Sequence, residues 1–236
     1  MTRIWVVNPN STEAMTDAIT RSARAVVAPG TSVTGITSRS GPPSIESHYD
    51  EAMSVPGVLE AIAAGEQQGV DGYVIACFGD PGLYAAREVA RGPVIGIAEA
   101  AMHTASHLGR GFSVVTTLAR TIGQAADLAH RYGMQGFCRG IHACELPVLA
   151  LEDPDAIKVV TEACRHAVEA DDSDAVVLGC AGMATMCASI SAELGVPVVD
   201  GVTAATLTVQ SLVAMGLGTS KRGEFAPPPG GYLPGG

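Results

Sequence analysis

The amino-acid sequence predicts an α/β fold of two matching lobes, each built on a four-stranded parallel sheet. Three observations predict it. Short apolar runs rich in β-branched residues alternate with amphipathic stretches of helix length along the chain. Apolar strands set between such helices imply parallel sheets covered on both faces. Third, the chain repeats itself. Gly72-Tyr-Val-Ile-Ala-Cys77 matches Asp174-Ala-Val-Val-Leu-Gly-Cys180, and Cys180 follows Cys77 by 103 residues. Gly92-Pro-Val-Ile-Gly matches Val196-Pro-Val-Val-Asp-Gly at a spacing of 104, and Arg3-Ile-Trp-Val-Val-Asn8 matches Gly111-Phe-Ser-Val-Val-Thr116 at 108. A near-constant spacing is the mark of internal duplication. Duplication places equivalent strand ends around a pseudo-two-fold axis.

The elements follow in order. A strand over 3–8 closes on Asn8-Pro-Asn10-Ser-Thr12, whose side chains suit the N-cap of a helix over 11–27. A strand over 32–37 leads into Gly41-Pro-Pro-Ser-Ile-Glu46-Ser-His-Tyr-Asp50, a segment too polar and too Pro-rich for a plain connection. It reads as a lid, with Ser44 and Ile45 on it. A helix over 52–68, a strand over 72–77, a helix over 81–90 and a strand over 93–97 complete the first set. The second set runs helix 98–108, strand 111–116, helix 119–132, strand 137–143, helix 154–170, strand 174–180, helix 182–193, strand 196–200 and helix 203–215. The last helix is expected to return to the first lobe. Residues 1–98 with 205–220 then form an N-terminal lobe, and 99–204 a C-terminal lobe. Residues 221–236 form a Pro/Gly-rich tail, either disordered or laid over a neighbouring subunit.

Composition narrows the function. With 236 residues and 47% hydrophobic content, the chain forms a core. A net charge of −10 opposes nucleic-acid binding. No apolar run reaches the roughly 18 residues of a membrane span. Arg3 is the only charge ahead of the first apolar run, so no signal peptide is expected, a cytoplasmic location is expected to follow, and the six cysteines are expected to be free thiols.

Cys77 and Cys180 are the candidate catalytic residues. A thiol at a strand end, beside exposed backbone N–H groups and a helix start, is expected to ionise more readily than usual. Such a thiolate is a general base and its thiol form a general acid. Two of them converging from opposite lobes suit removal of a proton from one face of a carbon and its return to the other. Cys138, Cys144, Cys164 and Cys187 lack this symmetry and read as core or surface thiols. The cysteine spacings match no zinc template, and His103 with His107 has no third ligand, so no metal is expected. No Lys, Arg or His follows either Cys77 or Cys180 closely. The pocket is thus expected to offer hydroxyls, amides and apolar walls, which suits a neutral cyclic amide or imide better than a free carboxylate.

Asn8-Pro-Asn-Ser, Gly41-Pro-Pro-Ser-Ile-Glu, Ala76-Cys-Phe-Gly-Asp-Pro-Gly-Leu83, Gly96-Ile-Ala-Glu-Ala-Ala101 and Leu178-Gly-Cys-Ala-Gly-Met183 together resemble the aspartate/glutamate racemase superfamily. Within it they resemble the hydantoin racemase and allantoin racemase family. The superfamily's amino-acid racemases follow the first Cys with Asn-Thr and the second with Thr-His, where this chain has Phe78-Gly79 and Ala181-Gly182. That departure argues against glutamate or aspartate as substrate.

The resemblance implies two Rossmann-like (flavodoxin-like) lobes with the active site in the cleft between them. It implies cofactor-independent racemisation of 5-monosubstituted hydantoins, with Cys77 and Cys180 as the two bases. Backbone N–H groups near Phe78–Gly79 and Ala181–Gly182 would stabilise an enolate oxygen. Asn10, Thr116 and Thr117 would hold the ring, and Ile45 and Phe78 would meet the 5-substituent. A homo-oligomer (dimer, tetramer or hexamer) is expected, with no cofactor, no nucleic acid and no membrane as partner. The rival substrate is allantoin, a hydantoin bearing a ureido group, turned over by the same cysteines. A non-catalytic small-molecule-binding protein and a Cys-nucleophile hydrolase are the readings from other classes.

Overall fold

In the structure, a computed structural model in which residues 1–229 are described, two sheets share one topology. The first holds β1 (Thr2–Asn8), β2 (Thr31–Thr37), β3 (Gly72–Ile75) and β4 (Val94–Gly96) in the order β2-β1-β3-β4. The second holds β5 (Phe112–Thr116), β6 (Cys138–Ala143), β7 (Ala175–Leu178) and β8 (Val198–Asp200) in the order β6-β5-β7-β8. Every pairing is parallel. The central strands β3 and β7 are buried at every residue, as strands covered on both faces must be.

The helices are α1 (Glu13–Arg24), α2 (His48–Gln67), α3 (Leu83–Val89), α4 (Ile97–Ser106), α5 (Ile122–Arg131), α6 (Ala156–Asp171), α7 (Cys187–Leu194) and α8 (Gly201–Ala214). Met15, Thr16, Ile19, Thr20 and Ala23 form the buried stripe of α1 at the spacing of a helix face. α2 starts four residues before its expected first residue because Ser47 caps it. The Ser47 hydroxyl donates to the Asp50 carboxylate at 2.7 Å, and the Asp50 N–H donates back to Ser47 Oγ at 3.2 Å. Two expected helices each begin as a 3-10 turn, Ala119–Thr121 before α5 and Ala181–Met186 before α7. A further 3-10 helix, Val148–Glu152, occupies a stretch with no expected element.

β3 and β7 end earlier than the expected 77 and 180, and they end in the same way. The Ala76 N–H donates to Val7 O at 2.8 Å and the Gly179 N–H to Val115 O at 2.8 Å. Each chain then leaves the ladder, so each cysteine stands two residues past its strand. The duplicated pattern thus carries through to hydrogen-bond register.

α4 and α8 bind the halves together. α4 packs on β7 and β8, α8 packs on β1, β3 and β4, and the two helices pack on each other. Their N-termini cross so closely that a Cβ at Gly201 would lie 2.3 Å from the Ile97 carbonyl oxygen. One apolar core runs from Ile4, Val6 and Val74 of the first sheet through Val202 and Ala205 to Phe112, Val114 and Val177 of the second. A buried aliphatic side chain contributes roughly 1.5–3 kcal/mol, so this shared core fixes the lobes under the cleft. Past α8, the Thr219 N–H donates to Arg91 O at 3.0 Å and Phe225 packs on Tyr84, so the tail through Phe225 lies on the chain's own α3 and β4. The remaining expected tail, residues 230–236, lies outside the described residues. Among the described residues no helix is long and apolar enough to cross a membrane.

Candidate functional site

A pocket opens between the carboxyl ends of the two sheets. This is where doubly wound sheets place ligands. The first half contributes Asn10, Met15, Ile45, Cys77, Phe78 and Gly79. The second contributes Thr116, Thr117, Thr121, Gln124, Ala125, Val148, Cys180 and Ala181. None of these lining side chains is charged. The structure therefore gathers both cysteines with Asn10, Ile45, Phe78, Gly79, Thr116, Thr117 and Ala181. Ser44 and Gly182 are not among the lining residues.

Cys77 opens a four-residue turn closed by the Asp80 N–H donating to Cys77 O at 2.9 Å. Asp80 holds a left-handed φ of 46°. Cys180 stands at the N-cap of the 3-10 helix Ala181–Met186. Both cysteines are half-buried free thiols. Burial pushes Cys77 up to about 12, against the opposing Gly79 N–H; the neighbouring Cys180, Asp80 and Glu51 add to the rise. Burial likewise pushes Cys180 up to about 11, against the Gly182 and Met183 N–H groups. The expected easier ionisation is therefore overturned, because loss of water outweighs the amides. After Cys77 there is a turn rather than a helix start, which further weakens the expected effect. The Gly79 and Gly182 amides face the sulfurs.

The remaining walls are polar on one side and apolar on the other. Asn10 Oδ1 accepts from Asn8 Nδ2 at 2.8 Å and from the Thr12 N–H at 3.0 Å, while its amide nitrogen lies 3.1 Å from Met15 Sδ. Its carbonyl is thus committed to the loop, and its amide is the end with only a thioether beside it. The hydroxyls of Thr116 and Thr121 pair at 2.8 Å. Gln124 donates its side-chain amide to Glu51 across the cleft, directly above Gly79, where a Cβ would lie 2.6 Å from Gln124 Nε2. The lid is tied to the second half through Glu46, whose carboxylate accepts the Val148 N–H at 2.8 Å. Ile45 and Val148 then form adjoining apolar wall, with Met15 and Phe78 also apolar.

Met15, Thr121, Gln124, Ala125 and Val148 are lining residues that sequence reasoning misses. Thr121, Gln124 and Ala125 carry a usable signal. They open the helix that follows strand β5, and in a parallel sheet that helix start faces the cleft. Val148 carries none, since its place depends on the bond to Glu46.

Residues 4–209 match the family model described as Asp/Glu/Hydantoin racemase. The chain is 49% identical over 227 residues to the hydantoin racemase of Rhizobium meliloti, covering 95% of this chain and 94% of the relative. Among solved structures it is similar to the allantoin racemase from Klebsiella pneumoniae, with a TM-score of 0.95 and 56% identity over 97% of this chain and 94% of that one. It is also similar to the allantoin racemase from Pseudomonas fluorescens, with a TM-score of 0.93 and 38% identity over 97% of both chains.

Proposed function

The chain belongs to the Asp/Glu/hydantoin racemase family and is a racemase, and on that premise we propose that it racemises 5-monosubstituted hydantoins by proton transfer at C5, with Cys77 and Cys180 as the two bases and no cofactor. One observation carries the proposal. Two thiols, each two residues past an equivalent central strand, line the same uncharged pocket from opposite halves. The C5–H of a hydantoin is acidified by the adjacent C4 carbonyl. One thiolate takes that proton, leaving a planar enolate. The opposite thiol supplies a proton to the other face, and the reverse reaction exchanges the roles. Each turnover therefore begins from a form with one thiolate and one thiol.

The amides of Gly79 and Gly182 support the thiolate forms. The enolate oxygen is then left to the Asn10 side-chain amide and the Thr117 hydroxyl. A preorganised donor of this kind contributes roughly 3–4 kcal/mol. Met15, Ile45, Phe78 and Val148 form the wall for an apolar 5-substituent. Allantoin is the second reading. The hydroxyl pair Thr116–Thr121 and the Gln124 amide support it by giving a ureido group polar partners. A cytoplasmic homo-oligomer remains part of the proposal, and mass photometry would measure its subunit number.

The test is to incubate one enantiomer of 5-benzylhydantoin, and separately of allantoin, with the protein in D₂O. Optical rotation and C5–H intensity are followed together. Loss of rotation with deuterium entering C5 supports the proposal, and the faster substrate selects between the two readings. No change above the spontaneous rate for either would remove it.

A further inference from the structure

Asp80 is a buried carboxylate that the two-thiol scheme leaves unused. It is 3% exposed, and its φ of 46° is a conformation that side-chain-bearing residues rarely adopt. Such a conformation persists where the surroundings over-determine it. Here they do. The Asp80 N–H closes the turn onto Cys77 O at 2.9 Å. Its carboxylate accepts the N–H of Ala98 at 3.0 Å and of Glu99 at 2.9 Å, in the first turn of α4. It also accepts the hydroxyl of Tyr132, just past the end of α5, at 2.7 Å.

These partners have a direction in common. α4 packs on β7 and β8, and Cys180 lies two residues past β7. α5 supplies Gln124 and Ala125 to the pocket. One side chain therefore joins the turn that bears the first thiol to a helix packed on the strand before the second, and to the end of a helix that lines the pocket. The fold also leaves room for it. A Cβ at Gly96 would fall 2.1–2.4 Å from the carboxylate atoms of Asp80.

We infer that Asp80 is a positioning residue for the proton transfer, holding the Cys77–Asp80 turn against α4 and α5 and so setting the Cys77 thiol across the cleft from Cys180. The inference rests on the two-thiol function proposed above. Asp80 touches Cys77's turn and not the 3-10 helix that carries Cys180. Its loss should therefore be one-sided. Racemisation uses both thiols in both directions, so the asymmetry is read with one thiol at a time: exchange by Cys77 alone suffers and exchange by Cys180 alone does not, whereas a general weakening of the fold slows both alike.

The experiment measures deuterium entry at C5 of each enantiomer of 5-benzylhydantoin separately in D₂O, using full-length wild type, and Asp80→Asn or Tyr132→Phe each combined with Cys180→Ser or with Cys77→Ser. Cys77→Ser and Cys180→Ser identify which enantiomer each thiol serves. Added to Cys180→Ser, Asp80→Asn is expected to slow the exchange that Cys77 alone performs about tenfold to a hundredfold; added to Cys77→Ser, it should leave the exchange by Cys180 within about twofold. Tyr132→Phe removes one of the three donors, so it should slow the same exchange by a smaller factor; it decides the matter if Asp80→Asn does not fold. Equal slowing of both exchanges, or slowing of neither, overturns the inference. A wild-type protein that exchanges neither enantiomer overturns the proposed function itself, which separates the two failures.

Discussion

The carboxylate of Glu46 accepts the backbone N–H of Val148 at 2.8 Å, and the residues beside that bond, Ile45 and Val148 itself, are both pocket wall. A segment of the first half is thereby fastened to a 3-10 helix of the second, across the mouth of the cleft. Glu46→Ala removes the acceptor, while Glu46→Gln keeps a carbonyl oxygen in place. A hydrogen bond to a charged group is worth about 1.5–3 kcal/mol. Steady-state kinetics should show KM rising about tenfold or more in Glu46→Ala, kcat changing less, and Glu46→Gln lying between it and wild type. A fall in kcat with KM unchanged would contradict a closing role.

Thr117 is 3% exposed and lines the pocket. Thr117→Val keeps its shape and removes the hydroxyl. If that hydroxyl stabilises the enolate, kcat/KM should fall roughly a hundredfold, with the melting temperature nearly unchanged. A change below about threefold would take Thr117 out of the mechanism and leave Asn10 as the donor.

The raised thiols set the pH dependence. Burial holds Cys77 at about 12 and Cys180 at about 11, so at neutral pH few molecules carry the one thiolate that turnover needs. The rate of racemisation should climb with pH, roughly tenfold per unit between pH 7 and 9. Stability moves the other way. Both thiols hold their protons in the folded chain at a pH where the unfolded chain, at its ordinary value of 9.0, has released them. Their contribution is complete below about 9 and is lost as pH rises through 11 and 12. Thermal melts should show a falling midpoint over that window. A rate that is flat from pH 7 to 9 would contradict the assignment.

At Gly201 an added Cβ would meet the Ile97 carbonyl at 2.3 Å, a backbone atom with no side-chain freedom to move away. Gly201→Ala should therefore push α8 from α4 and lower stability by about 1–3 kcal/mol, read by chemical denaturation. Because those helices lie between the two sheets, racemisation should fall with it. An unchanged midpoint would show that the crossing has slack.

Much of this molecule is legible in the sequence because it is duplicated. Repeats that match at Cys77 and Cys180, and again at Pro93 and Pro197, pair the strand ends without any coordinates. The early start of α2 is also readable, since Ser47 and Asp50 form a capping pair three residues apart. The direction of the thiol shifts is not readable. Backbone amides near a cysteine are local and visible in the pattern, but the loss of water that outweighs them comes from both lobes closing over the sulfurs. The Glu46–Val148 and Glu51–Gln124 contacts are hidden for the same reason. Each joins segments from opposite halves, and neither segment carries a periodic signal toward the other.

The most direct measurement of the central claim uses Cys77→Ser and Cys180→Ser, each given one enantiomer of 5-benzylhydantoin at a time in D₂O. Two-base transfer predicts that neither variant racemises and that each still exchanges the C5 proton of a single enantiomer, a different one in each variant. Normal racemisation by either variant, or exchange of both enantiomers by one of them, would contradict it.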